Sequence, residues 1–293
     1  MLIIQKLEEM QELSGNEKEV AKYLITHQHK ISKLSINDIA KATYTSPSTT
    51  VRLSKKLGYE GWKELKGAIV DELKYIHDHF EDIDPNYPFN REHTNMEIVN
   101  RIGSLLSNTI IDTMNLIDHD ILQKSVLLLS KAENIYVYGI TNAIGVAYDF
   151  KYSMRTIGKK VTIIENLDEF PYTIYATTSH DVSIFISYSG ENEELLSSAA
   201  ALHSKHLPII SITSIGDNTL SRLSDYVFYM TTRERLYSKI NNYTSKESTS
   251  YILNILFSCI FASNYKYNLE TKMNLSRQID TKRSSTIEIM KEK

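Results

Sequence analysis

The chain has 293 residues, 42% of them hydrophobic and 24% charged, with a formal net charge of −3. These proportions are ordinary for a soluble globular protein and exclude a polycation, so any nucleic-acid contact is expected from a local patch. The length allows two domains at roughly 100–200 residues each, and no run approaches the ~18 apolar residues of a membrane-spanning helix.

The N-terminus MLIIQKLEEM has no basic region ahead of a long apolar stretch, so no signal peptide is expected. SGNEKEVAKYLITHQHKI predicts a helix, with Val20, Tyr23, Leu24 and His27 on one face. Ser14 fits its N-cap, with Glu17 three residues on as a capping box. SINDIAKAT predicts a short second helix capped by Ser35 and burying Ile36, Ile39 and Ala40. In YTSPSTTVRLSKKLGY, Ser46 followed by Pro47 marks a helix start and Gly58 its end.

Residues 76–95, IHDHFEDIDPNYPFNREHTN, hold two of the five prolines and little apolar periodicity. They divide a helical domain at 1–75 from a larger domain at 96–293. Beyond them come helices near 96–117 and 119–131. Short β-rich runs then alternate with helical segments: NIYVYG, KKVTIIE, DVSIFISYS, LPIISIT and DYVFYM. Apolar runs of four to six residues between helices fit a central parallel sheet covered by helices on both faces. A long apolar helix near 246–264 and a mixed-charge tail complete the chain. It contains Cys259, the single cysteine, in ILFSCIFA, where a small buried hydrophobe is the plain reading. One cysteine excludes an internal disulfide, and a reduced, cytoplasmic protein is expected.

The two short helices around ATYTS form a helix-turn-helix pattern. The second presents Ser48, Thr49, Thr50 and Arg52 near its start and Lys55 and Lys56 a turn later. Hydroxyls and an arginine there suit base edges, and lysines suit phosphates. Residues 41–66 carry Lys41, Arg52, Lys55, Lys56, Lys63 and Lys66 against Glu60 and Glu64. A solvated helix face is the alternative reading of those lysines. In the second domain, the strand VSIFIS runs into Tyr188-Ser189-Gly190 and a helix beginning near Asn192. This is either an ordinary strand-to-helix turn or an anion cradle. In the cradle reading, Gly190 lets the backbone approach, serine hydroxyls donate, and the helix aims its positive end at the site. Glu191, Glu193 and Glu194 either complement that helix dipole or, for Glu191, bond sugar hydroxyls.

LSINDIAKATYTSPSTTVRLSKKLGYEGWKELK resembles the N-terminal domain of RpiR-type bacterial transcriptional regulators. The matching features are Leu-Ser-Ile opening the second helix, serine at the turn, TTVRLSKKLGY, and the following glycine-aromatic-x-Glu-Leu-Lys. IYVYGITNAIGVAYDFKYSMRTIG and VSIFISYSGENEELLSSA resemble the first loop and phosphate loop of the sugar-isomerase (SIS) domain paired with it in that family. The resemblance implies an all-α helix-turn-helix domain followed by an α/β SIS domain. It implies a double-stranded DNA operator, a phosphosugar effector, and a homo-oligomer, dimer or tetramer, with no cofactor or metal. Carried over, DNA contact falls on Ser35, Ser46, Ser48, Thr49, Thr50, Arg52, Lys55 and Lys56. Effector contact falls on Gly139, Thr141, Asn142, Ser187, Ser189, Gly190, Glu191 and Asn192.

Two departures stand out. The family's first loop commonly reads Gly-x-Gly-x-Ser, whereas this chain has Gly139-Ile140-Thr141-Asn142-Ala143, and its phosphate loop usually has threonine where Asn192 stands. SIS folds also occur in sugar isomerases, whose chemistry needs a positioned base. Glu247, His180, His203 and His206 are the candidates, none in a recognisable catalytic motif. A regulator is the reading adopted, with an isomerase or a ligand-incompetent DNA binder as alternatives.

Overall fold

The computed structural model describes residues 3, 6, 7, 13–79 and 83–279. The chain divides into two compact units. One holds the N-terminal helices through Asn115 with Ser214–Asn218 and Thr231–Ser245; the other holds Leu116–Thr213, Thr219–Met230 and the chain from Lys246 onward.

The first unit opens with α1 (Gly15–Thr26), α2 (Ile36–Ala42), α3 (Pro47–Lys56) and α4 (Trp62–His79). Each boundary follows local chemistry. The Ser14 N–H donates to Glu17 Oε2 at 2.8 Å, the expected capping box. Ser35 caps α2 through Asp38: its N–H and hydroxyl both donate to Asp38 Oδ2, and its Oγ accepts from the Asp38 N–H. Pro47 takes the first position of α3. Gly58 ends that helix at φ +91°, its N–H on Lys55 O and the Tyr59 N–H on Ser54 O. That pair of bonds satisfies the last carbonyls in a conformation glycine adopts without a side-chain clash. Val20, Leu24, Ile39, Leu53, Trp62, Leu65 and Ile69 are buried together as this unit's core. α5 (Asn95–Asn115) follows.

α4 continues to His79, into the stretch 76–95 expected from the sequence as a linker. The proline-bearing segment beyond is held in place. Asn86 is 6% exposed; its amide oxygen accepts from the Arg235 N–H at 2.6 Å, its amide nitrogen donates to Arg233 O, and its carbonyl accepts from the Ile240 N–H. Pro85 and Pro88 are buried beside it. Proline lacks the N–H that burial would otherwise strand.

The second unit is α/β. After α6 (His119–Lys131), the chain forms β1 (Ile135–Gly139), α7 (Asn142–Arg155), β2 (Val161–Ile164) and α8 (Phe170–Ala176). It continues with β3 (Val182–Ser187), α9 (Glu193–Ser204), β4 (Ile209–Ser214), α10 (Thr219–Leu223), β5 (Tyr226–Met230) and α11 (Tyr243–Ser263). The strand order is β2-β1-β3-β4-β5, with β1 parallel to both β2 and β3, and β3 parallel to β4. Side chains alternate between two apolar layers. Ile135, Val137, Ile184, Ile186, Ile210 and Ile212 pack with residues of α7 and α11. Tyr138, Ile164, Phe185 and Ile209 pack with Phe170 of α8 and Leu195, Ala199 and Leu202 of α9. The period of two along each strand sends successive residues to opposite layers, which is why the runs read as continuously apolar.

The chain after α11 is not simply a tail. α12 (Tyr265–Ile279) is a helix, tied back by the Asn268 side-chain amide donating to Phe261 O at 3.0 Å. The rest of the expected tail lies outside the described residues.

Phe185 is fully buried and stacks on Tyr138, ring centroids 4.5 Å apart. Phe185→Ala is expected to destabilise the fold by about 3–5 kcal/mol, because the layers on either side cannot collapse into the space. Denaturant unfolding of the full chain measures it.

Candidate functional site

Two places gather the residues singled out from the sequence. The first is the surface of α3. Ser46, Ser48, Arg52 and Lys55 are exposed on it, and the Ser46 and Ser48 hydroxyls lie 2.8 Å apart at its start. This matches a face that presents hydroxyls, then a guanidinium and an ammonium, along one groove-sized strip.

Thr49 and Thr50 depart from the expectation. They are 1% and 0% exposed, so they face the domain core rather than solvent. Successive residues of a helix are turned by about 100° from one another, and only part of that circle can look outward. Thr49 Oγ1 instead lies 3.1 Å from Ser46 Oγ, inside the helix start. Ser35 is exposed, but its hydroxyl is committed to Asp38, whose carboxyl those hydrogen bonds hold below its ordinary range.

Lys56 also has another role. Its ammonium sits 2.8 Å from Glu17 Oε2, and the Glu17 side chain is 4% exposed. The Lys56 hydrogen bond is the chief cause holding the Glu17 carboxyl down at about 2. One carboxylate thus caps α1 and fixes the end of α3 against it. Lys66 donates to Leu34 O at 3.1 Å, beside the Trp62 indole on the same carbonyl. Two of the six basic residues of 41–66 therefore have partners within the domain, Lys56 while still exposed, and Lys41, Arg52, Lys55 and Lys63 are exposed as well. Nothing in the sequence spacing signals the Glu17–Lys56 pair, because its partners are 39 residues apart.

The second place is the C-terminal edge of the sheet. Gly139 ends β1 opposite Ile186 of β3, so the loops after the two strands emerge side by side. This is where the strand order changes direction, the position at which open α/β sheets leave a crevice. From β3, Ser187 is 9% exposed at the base of the loop. The Gly190 N–H donates to Ser187 Oγ and the Glu191 N–H to Ser189 Oγ, both at 3.2 Å. Each serine accepts one bond from its own loop and keeps its hydroxyl proton to donate elsewhere. Asn192 is the N-cap of α9: its Oδ1 accepts from the Leu195 N–H at 3.0 Å, while the amide nitrogen keeps two donors. The Glu193 and Glu194 amides have no preceding helical turn to bond and open at the positive end of α9.

From β1, Thr141 is the N-cap of α7 at φ +53° and ψ −112°, with Thr141 and Asn142 exposed. A β-branched residue at positive φ is a true outlier, and it stands where the family pattern has glycine. A Cβ on Gly139 would lie 3.0 Å from that of Ala143. Glycine at 139 therefore lets the start of α7 close down on the strand end.

Glu191 turns away from the loop to accept the Thr219 N–H at 2.8 Å, capping α10. One oxygen of Glu191 thus serves as a helix cap. The His203 ring nitrogen is 3.0 Å from Leu223 O, and His180 and His206 are exposed.

A helix-turn-helix model of the rpiR family matches residues 1–75, and a SIS domain model matches residues 128–258. Among curated proteins, the HTH-type transcriptional regulator YbbH of Bacillus subtilis is 26% identical over 91% of this chain and 92% of its own. GlvR of the same organism, also an HTH-type transcriptional regulator, is 28% identical over 75% of this chain and 80% of its own. The NanR protein of Vibrio vulnificus, complexed with ManNAc-6P, shares the fold with a TM-score of 0.62 at 21% identity, covering 96% of this chain and 99% of that one. The sugar isomerase domain of an RpiR transcription factor from Sphaerobacter thermophilus matches with a TM-score of 0.56 at 16% identity, covering 62% and 99%.

Glu17→Gln keeps a capping-box side chain but removes the charge. The Glu17 carboxyl is depressed in the folded chain, so its contribution is full above the ordinary value near 4.5 and is lost as pH falls from there towards 2. With Lys56 41% exposed and solvent screening the pair, that contribution is of order 1–2 kcal/mol. Unfolding curves at pH 7 and pH 3 should show wild type losing part of this increment on acidification and Glu17→Gln lacking it at both.

Proposed function

We infer from the two model matches together, over residues 1–75 and 128–258, that the chain belongs to the RpiR-type family of bacterial transcriptional regulators, a helix-turn-helix domain joined to a SIS domain. On that premise we propose that it binds a duplex DNA operator through α3 and senses a phosphorylated sugar at the loops after β1 and β3. The observation that carries the sensing half is the convergence of donors at the strand-order reversal: the Ser187 and Ser189 hydroxyls, the Asn192 amide and the first amides of α9. All are neutral or positively polarised, as a phosphate requires. NanR, described with ManNAc-6P bound, supports the same class of ligand here.

The relatives favour sensing over turnover. Isomerisation needs a base within hydrogen-bond reach of the carbon-bound proton. Of the candidates Glu247, His180, His203 and His206, His203 lies against Leu223 O. The curated relatives are named as transcriptional regulators. In the dimer we propose, two copies of α3 stand at a fixed spacing and read half-sites about one or more turns of DNA apart, ~34 Å each. The effector shifts operator affinity by binding one arrangement of the pair more tightly than the other. Ala143 removes a hydroxyl from the first loop, and Thr141 and Asn142 are the residues placed to supply its replacement.

Thermal melting of the full chain with phosphosugars, their unphosphorylated parents and inorganic phosphate tests the sensing half. A ligand at 100 times its dissociation constant should add about 2.7 kcal/mol to stability. Ser187→Ala with Ser189→Ala should abolish that shift and leave the unliganded melt within a few degrees of wild type. Shifts that survive the double substitution, or no shift with any phosphosugar, overturn the reading. Arg52→Ala should weaken binding to the operator by about 1–3 kcal/mol and relax its sequence preference; unchanged binding in a mobility-shift titration overturns the DNA half.

A further inference from the structure

Tyr44 is 97% exposed and sits at φ +52° in the turn between α2 and α3. Its position in the α2 C-terminus is unusual. The Thr43 N–H bonds Ile39 O and the Thr45 N–H bonds Ala40 O, so Tyr44 occupies the left-handed position that closes the helix. Glycine is the residue usually found there, with asparagine next, because a Cβ strains that conformation. The neighbours of Tyr44 are turned inward. The Thr43 hydroxyl donates to Ile39 O at 2.8 Å and lies 2.8 Å from the Thr45 hydroxyl. The phenol between them projects into solvent and buries nothing.

Other tyrosines are as exposed, among them Tyr175 at 87% and Tyr237 at 92%. Among the described non-glycine residues, the three with positive φ are Tyr44, Thr141 and His206; Tyr44 and His206 both present a ring to solvent from such a backbone, and of the two Tyr44 is the one in the turn of the helix-turn-helix. A large side chain that strains the backbone and contributes no burial makes sense when its work lies outside the folded chain. The first helix of a helix-turn-helix crosses the sugar–phosphate backbone when the second enters the major groove, and Tyr44 stands just past the end of that first helix. Tyrosine hydroxyls are among the donors that bond phosphate oxygens there.

We propose that Tyr44 is a phosphate contact of the DNA-binding domain, its hydroxyl bonding the duplex backbone and setting how deeply α3 seats. This rests on the DNA-binding reading given above. The contact positions without reading sequence, so its loss weakens binding to all duplexes alike.

The test uses the full chain and the duplex that wild type enriches from a random-sequence pool, with a scrambled duplex beside it. Tyr44→Gly and Tyr44→Asn should melt at or above the wild-type temperature, since either relieves the strain. They should bind both duplexes roughly five-fold more weakly, the scale of one lost hydrogen bond, with the ratio between duplexes unchanged. Tyr44→Phe should share most of that loss. Arg52→Ala is the reference, expected to lower the ratio itself. Wild-type affinity in Tyr44→Gly, or a Tyr44→Gly melt below wild type, overturns the inference. If Arg52→Ala also binds as wild type, the DNA reading falls with it, and if Arg52→Ala alone is impaired, only the role of Tyr44 falls.

Discussion

Burying a parallel sheet on both faces is the constraint from which the second unit follows. Every residue of β3 and β4 is buried, so neither strand has a solvent face on which to display polar groups. Anything that meets a ligand must come from the ends of the strands. The parallel direction places all the strand-to-helix loops after β1, β3 and β4 at one edge. The order β2-β1-β3 then opens a gap between two of those loops, because the chain leaves β1 one way and β3 the other. The serines and amides of the proposed cradle share one edge of the sheet through this topology more than through their own chemistry.

The first unit depends on a different economy. Its N-terminal helices share one helical core cluster and still leave the polar face of α3 exposed. The Glu17 carboxylate serves two ends at once by capping α1 and holding Lys56 of α3. A buried charge is tolerable when it is paired and hydrogen-bonded, and Glu17 is both. The ion pair fixes the far end of α3, and the Gly58 turn closes it. The exposed strip of Ser48, Arg52 and Lys55 thereby stands on a helix tied at its C-terminus.

Much of this was legible in the residues. The caps at Ser14 and Ser35, the Pro47 start and the Gly58 stop are local, and local chemistry decided them. The five β-rich runs all became strands, since four to six apolar residues between helices have few other ways to be buried. The errors concern direction and distance. Thr49 and Thr50 looked like Ser48, but helical phase turns them inward by an angle that a list of polar residues does not reveal. Glu191 and Lys56 looked free, and their partners Thr219 and Glu17 lie 28 and 39 residues away. The helix Tyr265–Ile279 was read as tail because its composition is mixed; its tie, Asn268 to Phe261, is one hydrogen bond from a polar residue that signals nothing by type. The strained backbone at Tyr44 and Thr141 has no sequence signal beyond the absence of glycine.

The commitment of Lys56 and Lys66 to internal partners has a thermodynamic reach of its own. Binding to duplex DNA draws on the release of condensed counterions, and the logarithm of affinity falls with the logarithm of salt by about 0.9 for each phosphate neutralised. Lys41, Arg52, Lys55, Lys56 and Lys63 are exposed in this segment and Lys66 partly so. Four phosphate contacts would give a slope of about −3.6 per copy, and six about −5.4. The Glu17 carboxylate and the Leu34 carbonyl thus compete with DNA phosphates for two of the six cations. What remains sits beside the hydroxyls and guanidinium that can tell one sequence from another, in a protein whose net charge of −3 offers duplex DNA no general welcome.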